Sequence, residues 1–153
     1  MRIDELLAGR QLDTGQMMRS LKHAADQAGL PLNDPKMVYN SRLAQELGEW
    51  AEASGKGDEF HRAAFMSYFV HGENIGDPAV LTALAESVKL PAKGAREVLA
   101  SRSFREAVDA VWERARQSMI TAVPTLIMGQ GRLVGAQTYD VLKQFVMDNS
   151  NRR

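Results

Sequence analysis

The tripeptide Val123-Pro124-Thr125 is the most informative segment of this sequence, because it places a proline directly before a β-type run where a predicted helix has just ended. Proline lacks a backbone N–H and therefore fits the first residue of a strand, and Thr125-Leu126-Ile127-Met128 follows as a β-type run. Proline is also the residue before which a cis peptide bond costs least, roughly 0.5–1 kcal/mol. One interpretation is a cis bond that presents Val123 for β-type pairing with a peptide. A trans proline that only starts the strand is the simpler alternative.

Residues that could act as nucleophiles or metal ligands form no recognised constellation. The 153-residue chain has no cysteine, which excludes disulfides, thiolate nucleophiles and zinc–thiolate sites within it. The histidines His23, His61 and His71 fall on different predicted helices, at no known metal spacing. The serines lack the Gly-x-Ser-x-Gly elbow of hydrolases. We therefore predict no catalytic residue and no metal site.

Three glutamates and two tryptophans are interpreted as structural residues and not as parts of a binding site. Glu46, Glu49 and Glu52 span two helical turns, which is typical of an exposed helix face. Trp50 and Trp112 lie in apolar helical stripes and are predicted to be core residues.

Composition predicts one globular domain over residues 1–153 and a cytoplasmic protein. The 19 basic and 19 acidic residues cancel, so the charge balance gives no reason to expect nucleic acid or an anionic membrane as a partner. The region around Met1 is charged and has no apolar segment of the signal-peptide type. The apolar runs are far too short for a spanning helix.

Hydrophobic spacing predicts about six helices, one hairpin and a last helix. Residues 1–13 could form a short helical turn, and the clearer helical pattern starts at Thr14-Gly15, with a loop over Leu30–Lys36. Asn40 or Ser41 and then Asp77-Pro78 are helix-start signals. Gly129-Gln130-Gly131 between two β-type runs predicts the hairpin. The last helix is expected to turn four residues inward, namely Val141, Leu142, Phe145 and Val146.

A single hairpin creates a problem of unpaired backbone. Two strands alone are marginally stable in water, and a terminal helix can cover only one face. The outer strand edges would still present unpaired N–H and C=O groups. We therefore expect a partner strand along the edge from Thr125 to Met128.

The order of these segments resembles the DsbA-like thioredoxin-fold family, in particular its FrnE-type branch. That branch is related to the 2-hydroxychromene-2-carboxylate isomerases and the kappa-class glutathione transferases. Proline before a strand, a glycine hairpin, Gly135-Ala136-Gln137 and a final helix resemble the C-terminal half of a thioredoxin fold. The helical insertion of the family is matched by Asn40-Ser41-Arg42-Leu43-Ala44, Phe60-His61-Arg62-Ala63-Ala64-Phe65, Tyr68-Phe69, Gly72-Glu73-Asn74-Ile75 and Asp77-Pro78-Ala79-Val80-Leu81.

The resemblance implies a predominantly helical α/β fold. It assigns residues 14–118 to the DsbA-like helical insertion and residues 119–149 to the C-terminal ββα part of a thioredoxin fold. Pro124 would be the cis-proline, and Val123, Pro124 and Thr125 would bind a substrate peptide. The family's N-terminal strand, its Cys-x-x-Cys helix and the next strand have no counterpart, so we expect a truncated chain that does not catalyse thiol–disulfide exchange alone. The groups that bind glutathione in the relatives would lie in the same missing part, so no cofactor is expected.

Three hypotheses about function remain open. The open edge could join two copies of the chain in a homodimer. The chain could instead be a subunit or fragment of an oxidoreductase or isomerase whose missing part comes from another polypeptide or was lost to a wrong start site or a disrupted gene. The gene sequence upstream of Met1 would decide this. It could also be a non-catalytic module that binds peptides, other proteins or apolar small molecules at Val123–Thr125.

Overall fold

The computed structural model describes residues 14–33 and 37–150. The helical turn expected within residues 1–13, and residues 34–36 of the expected loop, lie outside this range. The described part contains seven α-helices, one π-helix and two strands. In chain order they are α1 (Thr14–Gln27), α2 (Arg42–Ala53), α3 (Gly57–Met66), the π-helix (Ser67–His71), α4 (Pro78–Ser87), α5 (Ala92–Ser101), α6 (Arg105–Gln117), β1 (Thr125–Met128), β2 (Gly131–Val134) and α7 (Tyr139–Ser150).

The chain divides into two compact units, Met1–Val108 and Asp109–Arg153, and the division falls within α6. We call them the helical unit and the hairpin unit. The sequence-based division of the chain at residues 118 and 119 remains a prediction.

The helical unit buries one apolar core between α2, α3, α4 and α5. The side chains of Leu47, Phe60 and Leu81 are fully buried there. Each lies on the apolar face of its own helix, and the faces meet because helical spacing places such residues on one side. Trp50 is half-buried against this core, as predicted.

Local chemistry sets the helix starts as expected. The Asp77 carboxylate accepts a hydrogen bond from the backbone N–H of Ala79 at 2.8 Å, and Pro78 is the first residue of α4. Ahead of α2, the side-chain oxygen of Asn40 accepts from the N–H of Arg42 at 2.9 Å. Short polar side chains therefore satisfy backbone donors that the helices leave unpaired.

The prediction that Glu46 lies on an exposed face is wrong. Its side chain is only 1% exposed and is held by two arginines. Arg42 Nε donates to Oε1 at 2.8 Å, while Arg102 donates through Nε to Oε2 at 2.6 Å and through Nη2 to Oε1 at 2.7 Å. The hydrogen bonds from Arg102 are the main reason that the pKa of Glu46 falls from 4.5 to about 2. The carboxylate therefore stays charged inside the unit, where it joins α2 to the turn between α5 and α6.

The hairpin unit has much less buried surface. Helix α7 packs against both β1 and β2, and Leu142 and Phe145 are half-buried. Val141 and Val146 remain 42% and 45% exposed, so the prediction that they face inward is wrong. The reason is that two strands of four residues are too narrow to cover that whole helix face. Trp112 is likewise exposed and not a core residue.

Candidate strand-pairing site

The segment leading to the predicted site begins where α6 ends. The N–H of Met119 donates to the carbonyl of Arg116 at 2.8 Å, and the N–H of Ile120 donates to the carbonyl of Ala115 at 3.0 Å. With Met119 in the left-handed region at φ +50°, these two bonds form a Schellman motif. The motif stops the helix and turns the chain toward the hairpin.

Side chains of the hairpin then fix this turn. The guanidinium of Arg132 on β2 donates to the carbonyls of Ser118 and Met119, the latter at 2.8 Å. The hydroxyl of Thr125 donates to the carbonyl of Ala122 at 2.6 Å. The loop between α6 and β1 is therefore tied to the strands at both of its ends.

The predicted binding tripeptide stands at the exposed end of this loop. The Val123–Pro124 peptide bond is cis, and the Pro124 carbonyl accepts a hydrogen bond from the N–H of Gly135 at 2.8 Å. The Val123 side chain is 87% exposed, the largest fraction among the exposed large apolar residues of the described part. Val123, Pro124 and Thr125 lie together at the start of β1, and their role in binding a peptide stays a prediction.

The register of the hairpin shows which backbone groups of β1 face outward. The strands pair antiparallel, with Thr125 opposite Val134 and Ile127 opposite Arg132. Hydrogen-bonded and non-hydrogen-bonded pairs alternate in such a ladder. Because Pro124 and Gly135 are a hydrogen-bonded pair, the next pair along, Thr125 with Val134, is not.

Two residues of β1 therefore turn their backbone away from β2. The N–H and C=O groups of Thr125 and Ile127 point to the outer edge. The sheet of the described residues has only the strands β1 and β2, so this edge has no strand beside it there. Within the described part of the chain, the edge from Thr125 to Met128 is therefore open, and its pairing groups belong to alternate residues; the partner expected along it stays a prediction.

The structure also bears on the sequence predictions about metal ligands, histidines and membrane helices. Within residues 14–33 and 37–150, no group of three or more histidine, cysteine, aspartate or glutamate side chains is arranged to hold a metal ion. His61 lies against Gly48 in the helical unit, with Nε2 3.1 Å from where a β-carbon of residue 48 would stand. Among the described helices, none has the length and apolar character needed to cross a membrane.

Sequence reasoning missed the part played by Arg132. Its position between Gly131 and Leu133 in a strand gave no sign that it would reach the carbonyls of residues 118 and 119. One signal was available: β2 is a strand of four residues, and Arg132 is its only charged residue. A lone charge on a strand next to a helix end can be read as a donor for the last carbonyls of that helix.

Two antiparallel strands followed by a helix, with a proline at the head of the first strand, are the arrangement of the C-terminal half of a thioredoxin-like domain. Within that class, residues 10–147 match the family model of the DSBA-like thioredoxin domain, and the chain belongs to this family. The resemblance to the DsbA-like family and the predominantly helical α/β fold are thereby confirmed.

Two individual proteins illustrate the relationship. The uncharacterized protein YwbO of Bacillus subtilis (strain 168) is 31% identical over 140 residues, which are 88% of this chain and 68% of YwbO. The crystal structure of a proposed protein disulfide isomerase from Nitrosomonas europaea superposes with a TM-score of 0.72 at 18% identity. That superposition covers 91% of this chain and 74% of the Nitrosomonas chain, and it shows a shared fold.

Proposed function

We propose that this DsbA-like domain acts by strand pairing and not by thiol–disulfide exchange. In this proposal, the outer edge of β1 binds a strand of a partner polypeptide, and a second copy of the chain is the first partner to consider. Two hairpins related by a twofold axis would form one four-stranded sheet, with the same edge used by both copies. Binding of an extended peptide by the same edge, with contacts to Val123, is the alternative.

The observation that carries the proposal is the alternation of the β1 backbone. Thr125 and Ile127 each offer one donor and one acceptor outward, at the spacing that an added strand requires. Val123 extends this line by two residues and is almost fully exposed. Exposed apolar side chains of β1, Leu126 and Ile127, would lose contact with water when a further strand and its side chains covered the sheet.

The first test removes one outward donor. Ile127→Pro deletes an N–H that points away from β2, so the hairpin ladder keeps its own bonds. Sedimentation velocity at micromolar protein is expected to show a dimer for the unchanged chain and at least a roughly tenfold weaker dimer for the variant, since the twofold symmetry removes two hydrogen bonds. A stable monomer of the unchanged chain would reject the homodimer.

Val134→Pro is the matched control on the opposite edge. The N–H of Val134 also points outward, but from β2 and away from β1. It should leave the association unchanged if β1 is the pairing edge. Equal loss of association in both variants would show that the hairpin as a whole, and not the β1 edge, is responsible. For the peptide alternative, the same two variants are compared for binding of an extended apolar peptide.

The proposed lack of thiol chemistry has its own test. A thiolate is the nucleophile in thiol–disulfide exchange, and this chain has no cysteine. Insulin reduction by the purified chain is expected to equal the rate without protein, and the Nitrosomonas protein can be run beside it for comparison. Turnover above background would overturn this part of the proposal.

We also propose that the chain lies in the FrnE-type branch of its family. The support is the set of segments quoted above for the helical insertion, which run from Asn40 to Leu81 in the family's order. In this branch the relatives are oxidoreductases or isomerases, so an activity completed by another polypeptide is the remaining alternative. A cytoplasmic location remains a prediction that cell fractionation would check.

A further inference from the structure

A second surface, within the helical unit, forms an apolar groove of about 740 Å³ between α1 and α3. Leu21 of α1 and Leu30 beyond its end form one wall, and Phe65 and Met66 of α3 form the other. All four side chains are exposed, Phe65 to 63%. Contiguous exposed apolar patches are uncommon on globular proteins, and those that occur often mark binding sites.

The floor of the groove is shaped by the π-helix that continues α3. Phe69 of this segment lies 6.1 Å from Phe65 and 4.8 Å from Tyr68, measured between ring centres. Tyr68 is anchored from behind, because its hydroxyl donates to the carbonyl of Met37 at 3.0 Å. Short π-helical turns inside helices occur frequently at functional sites. The aromatic floor is therefore fixed in place, although its upper side is open.

The charged and polar side chains that line the groove all belong to α3 and follow one another along that helix. Asp58 comes first, His61 and Arg62 lie one turn later, and Phe65 with Met66 follows after another turn. Among the described residues, neither Asp58 nor Arg62 has an ion-pair partner, whereas the neighbouring Glu59 is paired with Lys56 at 2.8 Å. A ligand whose apolar body covers the aromatic floor would thus meet the N–H donors of the Arg62 guanidinium before it reached Asp58.

We propose that this groove binds an aliphatic carboxylate, a molecule with an apolar chain and one anionic head. The chain would lie on Phe65, Met66 and Phe69. The head would accept hydrogen bonds from the Arg62 guanidinium, whose planar fork matches a carboxylate. A cationic head would be repelled at the same position. The Asp58 carboxylate, one turn further away, would weaken the binding of the anion without preventing it.

The test compares decanoate with decanol, below their aggregation limits, by isothermal titration calorimetry. The unchanged protein is expected to bind decanoate more tightly than decanol. Arg62→Gln should weaken decanoate binding by about tenfold, the loss expected for one charge-assisted pair, and leave decanol binding unchanged. Asp58→Asn should strengthen decanoate binding several-fold, since it removes a like charge.

Two variants serve as controls. Arg96→Gln removes an exposed arginine of α5 that does not line the groove, and it should change neither affinity. Phe65→Ser should weaken both ligands, and because the residue is exposed the fold is retained. Equal affinity for decanoate and decanol, or an equal loss of both in Arg62→Gln, would overturn the proposal.

Other occupants of the groove would give different results. An amphipathic helical peptide that binds there with no dependence on Arg62 would replace the small ligand as occupant and contradict the proposal. A second copy of the chain would show itself if Phe65→Ser dissociated an oligomer in sedimentation velocity, which would also contradict it. Neither result depends on the β1 edge, since the groove lies wholly within the helical unit.

Discussion

Replacing Glu46 by glutamine is expected to lower the free energy of unfolding by about 3 kcal/mol at neutral pH. The buried carboxylate receives three hydrogen bonds from Arg42 and Arg102, and the amide cannot balance their charge. Removing one partner of a buried pair costs about 3–5 kcal/mol. The lower end applies because the Arg102 side chain is 43% exposed and can be hydrated. Urea unfolding followed by circular dichroism measures the loss.

Glu49→Gln is the matched control for this prediction. It makes the same chemical change on the same helix at a residue that is only half-buried. Its effect should stay within about 0.5 kcal/mol, as for most surface substitutions. A loss as large as that of Glu46→Gln would mean that the charge of α2, and not the arginine cluster, is responsible.

The same carboxylate predicts how stability depends on pH. The pKa of Glu46 is about 2 in the folded chain against an ordinary 4.5, which corresponds to about 3 kcal/mol. A carboxyl group whose pKa is lowered by folding stabilises the folded state fully at pH values above its ordinary pKa. This contribution is lost as the pH falls from 4.5 toward 2. The difference between the unchanged chain and Glu46→Gln should therefore shrink toward zero over that interval. A difference that stays constant with pH would contradict the ion-pair explanation.

The features that could be predicted from the sequence have causes within a few residues. Asp77-Pro78 starts α4 because a carboxylate and a proline act on the backbone next to them. Gly129, at φ +58°, turns the hairpin for a similarly local reason. The family's helical and ββα segments could be recognised because their order is carried by such local signals.

The features that could not be predicted depend on distant parts of the chain. Glu46 looks like a surface residue until Arg102, 56 positions later, folds against it. Val146 looks like a core residue, and its exposure follows from the width of a sheet that no spacing rule reports. The groove between α1 and α3 could not be predicted either. Leu21 and Phe65 have the spacing of ordinary core residues of a helix, and only the packing of the helices leaves them uncovered.

The largest loss of stability is expected for Phe60→Ala in α3. The Phe60 side chain is fully buried in the core that α2, α3, α4 and α5 share. Its removal takes away apolar contacts and leaves a cavity, at a cost of about 3–5 kcal/mol. Guanidinium unfolding followed by the helical circular dichroism signal should show a lower midpoint. The dependence on denaturant should keep its slope, because the surface exposed by unfolding hardly changes.

Phe65→Ala provides the matched control five residues later on the same helix. A separation of five residues turns the side chain by about 140° around the helix axis, so Phe65 points away from the core that holds Phe60. With 63% of its surface exposed, Phe65 should contribute less than about 0.5 kcal/mol to folding. A large loss of stability in Phe60→Ala and a small one in Phe65→Ala would show that the two residues lie on different faces of α3, one buried in the core and one exposed. Equal losses would mean that Phe65 is covered in solution, and the groove beside α1 would then not be open to a ligand.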